Sequence, residues 1–149
     1  MTIASSPVYV DTSALAKLYV REVDSDALEV LLVDRTDLLV SDLAVTELTS
    51  ALVRKVREGQ LDGRVAGAIY QELLRDITEG QFQLLQLDSD LHRQTEQLLL
   101  TLGSHQPLRA ADALHLATAL AAGARALVTF DQQMRVAAQA VGALEVVDL

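Results

Sequence analysis

Short segments that are apolar at nearly every position recur along this 149-residue chain, each separated from the next by a longer amphipathic stretch, and no other feature limits the fold as strongly. The segments are "PVYV" at 7–10, "DLLVS" at 37–41, "FQLLQL" at 82–87, "ALVTF" at 126–130 and "LEVVDL" at 144–149. A strand with one face in water alternates apolar and polar residues. These do not alternate, so both faces need cover, as in a parallel sheet flanked by helices. The stretches between them have helical spacing: 14–20 with Ser13 as N-cap, 25–35, 43–58 stopped by Gly59, 64–79 stopped by Gly80, 89–103, 110–122 ended by Gly123, and a short helix from Gln132. Right-handed crossovers then predict an α/β fold, a three-layer α/β/α sandwich with a central parallel sheet. Sites in such sheets form beyond the carboxyl ends of the strands.

No repeat, low-complexity tract or linker divides the chain, so residues 1–149 are read as one domain, long enough to build a core without metal or disulfide. The absence of cysteine rules out a disulfide framework, a thiolate zinc site and a cysteine nucleophile. The N-terminal segment has no basic region followed by a long apolar core, and every apolar stretch is interrupted before membrane-spanning length. The expectation is a soluble, cytoplasmic protein without a membrane partner. A net charge of −9 argues against a basic surface that grips nucleic acid by counterion release. It leaves nucleic acid open as a substrate, because acids that hold a divalent cation present the ion, not themselves, to a phosphate.

Acids fall at the expected edge. Asp11 follows the first strand and Asp131 the fourth; Asp112 lies in the first turn of the helix at 110–122, where the dipole favours a carboxylate; Glu47 lies in the second turn of the helix after the second strand. Each has a plainer reading. Asp11 can be a helix-entry residue, Asp131 an N-cap, Asp112 the partner of Arg109 or His115, and Glu47 a solvated acid, although no cation of its own helix lies within reach. Together they say more than singly. Four acids at one edge repel one another unless a cation neutralises them, and an oxygen-only donor set suits Mg²⁺ or Mn²⁺. Ser13 and Thr129 stand near Asp11 and Asp131 as candidate supports, with N-cap and buried strand threonine as their alternatives. His92, His105 and His115 lack zinc-site spacing, and His115 is read as a packing residue or a support behind the acids. No nucleophile elbow, phosphate-binding loop or dinucleotide fingerprint occurs.

"VDTSALAKLYV" with Asp11, the lone helix glutamate Glu47, "LRAADALHLATAL" with Asp112 and "LVTFD" with Asp131 together resemble the PIN-domain ribonucleases, most of all the toxin subunits of VapBC toxin-antitoxin pairs. The likeness spans essentially the whole chain. It implies a PIN-like fold and a Mg²⁺- or Mn²⁺-dependent endoribonuclease that cleaves RNA, forms a homodimer and is held inactive by a small antitoxin with a DNA-binding part. The family's acidic quartet falls on Asp11, Glu47, Asp112 and Asp131, and its hydroxyl position on Thr129. Met134 stands where members often carry an aromatic residue.

The mechanism expected is metal-assisted phosphodiester hydrolysis, with one or two ions held by Asp11, Asp112 and Asp131 directly or through water, Glu47 completing the set or orienting the attacking water, and Arg109 meeting a phosphate or pairing with Asp112. An aspartate-nucleophile phosphatase wants a second acid two residues after the first, where Ser13 stands. A catalytically silent PIN-like scaffold is the other alternative. The helices within 63–74 and 91–103 are the expected dimer faces, and an inhibiting partner is expected to place an arginine among the acids and an apolar segment along Leu48, Leu52 and Val56.

Overall fold

In the computed structural model, which describes residues 2–149, strands β1 (Val8–Val10), β2 (Leu38–Ser41), β3 (Gln83–Leu85), β4 (Ala126–Val128) and β5 (Glu145–Val147) pair into one sheet in the order β3-β2-β1-β4-β5. Every neighbouring pair is parallel. The central strands β1, β2 and β4 are buried at every residue, whereas the edge strands β3 and β5 are partly exposed. The segments that read as wholly apolar are thus those covered on both faces.

Helices α1 (Thr12–Tyr19), α2 (Ser25–Leu32), α3 (Asp42–Arg57) and α4 (Gly63–Thr78) cover one face; α5 (Ser89–Thr101), α6 (Ala110–Ala121) and α7 (Gln132–Val141) cover the other. Alternate residues of β1 supply the two cores. Val8 and Val10 join Leu15, Leu28, Leu48 and Leu73 on the first side, and Tyr9 joins Leu116, Leu127 and Met134 on the second. Met134 is buried, so an aliphatic side chain fills the place where an aromatic one is frequent. Among the described residues, no helix is long and apolar enough to cross a membrane.

From β1 the chain moves outward through β2 to β3, then returns to the other side of β1 for β4 and β5. The direction reverses between β1 and β4, and at such a switch point the carboxyl ends of adjacent strands open a crevice. Asp11 and Asp131 follow the strands on its two sides.

Three expectations need correction. The helix read over 25–35 stops at Leu32, because Val33 leaves the helix and Asp34 turns left-handed at φ 64°. The strand read over 126–130 stops at Val128, because the Phe130 amide donates to Ser13 Oγ instead of a neighbouring strand. Leu48 offers no face to a partner because it lies in the core, whereas Leu52, although largely buried, and Val56 line a groove of about 300 Å³ that α3 leaves open against α4, together with Val53, Gly63, Gly67 and Tyr70.

Candidate active site

Asp11 caps α1. Its Oδ1 accepts the Ala14 amide at 3.0 Å, since the helix starts at Thr12 and places that amide opposite Asp11. Ser13, read from the sequence as the cap, instead lies inside the helix and serves the aspartate: Ser13 Oγ donates to Asp11 Oδ1 at 2.7 Å and Thr129 Oγ1 to Oδ2 at 2.5 Å. Each hydroxyl is oriented by a backbone amide it accepts, Phe130 N to Ser13 at 2.8 Å and Asp131 N to Thr129 at 3.0 Å, which leaves its proton for the carboxylate. Burial pushes the Asp11 carboxyl up, and the bonds from Thr129, Ser13 and Ala14 pull it back only in part.

Asp131 caps α7 in the same way, with Oδ1 accepting the Met134 amide at 3.0 Å. Its Oδ2 accepts Arg109 Nη2 at 2.7 Å. Arg109 also donates from Nε to Asp112 Oδ2 at 2.9 Å, so one guanidinium bridges the carboxylates of α6 and α7. Asp112 is buried beneath it, while the arginine side chain is 65% exposed and free to swing outward. Because α6 leads back into β4, its first turn lies at the carboxyl edge of the sheet, and this brings Asp112 beside Asp131.

Glu47 sits one turn into α3 and belongs to a second linked set. Oε1 accepts Thr12 Oγ1 at 2.7 Å and lies 2.6 Å from His115 Nε2. Burial raises the Glu47 carboxyl, but the bonds from His115 and Thr12 outweigh it and leave the group below its usual range. His115 Nδ1 in turn meets the buried Tyr9 hydroxyl at 2.7 Å. The partner that Glu47's own helix does not provide is a histidine 68 residues along the chain.

All four acids therefore stand at the carboxyl edge, tied in two sets that meet at the adjacent residues Asp11 and Thr12. Sequence reasoning missed Thr12 and Tyr9. Thr12 was legible as the residue between two site groups in "VDTSA", and His115 as the residue one helical turn from Asp112. The donor set is entirely carboxylate and hydroxyl oxygen, which matches a hard divalent cation. As placed, no three His, Asp or Glu side chains among the described residues are close enough to hold an ion. Arg109 supplies the positive charge between Asp112 and Asp131.

The family profile described as "PIN domain" matches residues 8–140. Ribonuclease VapC46 of Mycobacterium tuberculosis is 36% identical over 139 residues, covering 91% of this chain and 92% of that protein. Ribonuclease VapC35 of the same species is 36% identical over 137 residues, covering 89% and 90%. Among solved structures, M. tuberculosis VapC20, described as a sarcin-ricin loop cleaving toxin, superposes with a TM-score of 0.71 at 20% identity, covering 95% of this chain and 100% of that one. VapBC2 from Rickettsia felis, bound to a DNA fragment from its promoter, gives a TM-score of 0.62 at 17% identity, covering 99% and 98%. These two share the fold.

Proposed function

The chain belongs to the PIN-domain family, and we propose that it is a divalent-metal-dependent endoribonuclease, the toxin of a type II toxin-antitoxin pair. The observation that carries this reading is the bridge at the switch point: Asp112 and Asp131 already share a cationic group, beside a buried Asp11 on the neighbouring strand. Two ribonucleases alike over about nine-tenths of the chain support the same activity.

Asp11, Asp112 and Asp131 would hold Mg²⁺ or Mn²⁺, with Glu47 completing the set. When bound, the ion supplies positive charge against the scissile phosphate and its leaving oxygen. Ser13 and Thr129 keep both oxygens of Asp11 directed, so the carboxylate is ordered before the ion arrives. Glu47 commits Oε1 to Thr12 and His115, which leaves Oε2 to orient the attacking water. Arg109, released from the acids, pairs with a phosphate oxygen of the RNA.

The partner that fits is a small antitoxin with a DNA-binding part, as in the promoter-bound Rickettsia pair. It inhibits by placing an arginine where Arg109 now lies. The protein acts in the cytoplasm, where its RNA is, and as a homodimer through α4 and α5, on which Val65 and Leu100 are exposed. Purified protein incubated with RNA tests the activity. Cleavage is expected with Mg²⁺ or Mn²⁺ and lost in EDTA or on Asp112→Asn. Cleavage undiminished by EDTA overturns the metal reading, and no cleavage with either ion overturns the activity.

A further inference from the structure

We propose that His115, set by Tyr9, is the positioning residue that fixes Glu47 for catalysis, an inference that rests on the ribonuclease reading above. Tyr9 is the middle residue of β1 and fully buried. Its hydroxyl lies 2.7 Å from His115 Nδ1 and can donate to it. With Nδ1 accepting, a neutral ring carries its proton on Nε2. That proton points to Glu47 Oε1, 2.6 Å away; the opposite tautomer would set a lone pair against a carboxylate oxygen at that distance. Thr12 Oγ1, 2.7 Å from Oε1 and 3.0 Å from Nε2, closes the triangle.

Glu47 needs such a hold. Its side chain is 34% exposed, and its neighbours one turn away on α3, Leu43, Ala44, Ser50 and Ala51, provide no charged partner. A glutamate left free there samples many rotamers, and ordering it at the moment of reaction costs side-chain entropy. The Tyr9–His115 relay orders it in advance from the rigid centre of the sheet. His115 itself is 3% exposed and acts only through Glu47.

A histidine that merely packs the core predicts different kinetics. The test measures kcat and KM for RNA cleavage together with thermal stability. His115→Asn, which cannot reach Glu47, is expected to lower kcat by about ten- to hundred-fold with KM within about twofold. His115→Gln, whose amide N–H lies near the position of Nε2, is expected to recover most of that loss. In a Glu47→Gln background, His115→Asn is expected to cost less than about twofold more. Tyr9→Phe serves the same cycle if the asparagine variant does not fold. Independently of activity, ¹⁵N NMR of wild-type protein is expected to show the Nε2–H tautomer, with that proton moving upfield in Glu47→Gln. Additive losses, glutamine no better than asparagine in folded protein, or an Nδ1–H tautomer overturns this role alone. A wild-type protein that cleaves no RNA overturns the ribonuclease reading and this role with it.

Discussion

Arg109 grips Asp112 through two nitrogens, Nε to Oδ2 at 2.9 Å and Nη2 to Oδ1 at 3.3 Å, and the same Nη2 reaches Asp131 at 2.7 Å. The guanidinium thus satisfies the oxygens that a metal would use. The arginine is exposed but the Asp112 carboxylate beneath it is buried, so whatever displaces the guanidinium must supply the positive charge that Asp112 would otherwise lack.

Competition between arginine and ion follows. Arg109→Leu is expected to bind Mn²⁺ about fivefold more tightly than wild type, the factor that corresponds to about 1 kcal/mol for an exposed ion pair. Calorimetric titration without RNA reads this directly. Unchanged or weaker binding means the guanidinium does not stand in the ion's way.

Asp11 gives a pH dependence of definite sign. Its native pKa lies above the ordinary 3.8, so the protonated carboxyl favours the folded state: this contribution is full below 3.8 and is lost as pH rises through the raised native value. Wild-type protein in EDTA should therefore lose stability relative to Asp11→Asn as pH climbs from about 4 through the raised native value. The difference between the two proteins grows by about 1.4 kcal/mol for each pH unit of displacement. Denaturant midpoints at several pH values measure it, and a constant difference would show that Asp11 ionises as freely as in the unfolded chain.

Two glycines should respond to alanine with opposite signs. A Cβ on Gly103 falls 2.5 Å from the Leu99 carbonyl oxygen, which also accepts the Gly103 amide, so Gly103→Ala forces the end of α5 to shift and should cost about 1–3 kcal/mol. Gly67 lies inside α4 with open space where an alanine methyl would stand, and Gly67→Ala should gain about 0.5–1 kcal/mol from lower backbone entropy in the unfolded chain. Urea unfolding of both variants decides, and equal signs would contradict the local geometry.

What the sequence revealed and what it hid divide along the range of the interactions. The central strands were legible because Val8, Val10, Leu39 and Leu127 lie in segments without polar alternation, and helix ends because Gly80 and Gly123 take left-handed φ of 85° and 73°. The Arg109–Asp112 pair was legible too, at three residues' spacing. Its extension to Asp131, 22 residues on, was not, nor was the link from Glu47 to His115, because each joins helices that meet only when the sheet is assembled. The pattern alone does not decide between Ser13 and Asp11 as the cap of α1 because hydroxyl and carboxylate cap equally well; a two-residue difference in where the helix begins decides between them.

An inhibiting partner is expected to use both the site and the α3–α4 groove. An arginine from the partner can replace Arg109 between Asp112 and Asp131, and an apolar segment can lie against Val53, Val56 and Tyr70 in the groove. Partner and Mn²⁺ then share oxygens, so saturating Mn²⁺ should weaken the complex, and excess partner should release bound Mn²⁺. Asp112→Asn removes one carboxylate of the pair and should weaken binding by about 2 kcal/mol or more, a loss of at least about thirtyfold. Gly67→Leu, which fills the groove without touching the acids, should weaken the complex while leaving Mn²⁺ affinity unchanged. Copurification and titration with an antitoxin partner measure both effects. A complex indifferent to Mn²⁺ and to Asp112→Asn would place the partner away from the acids, and one indifferent to Gly67→Leu would place it away from the groove.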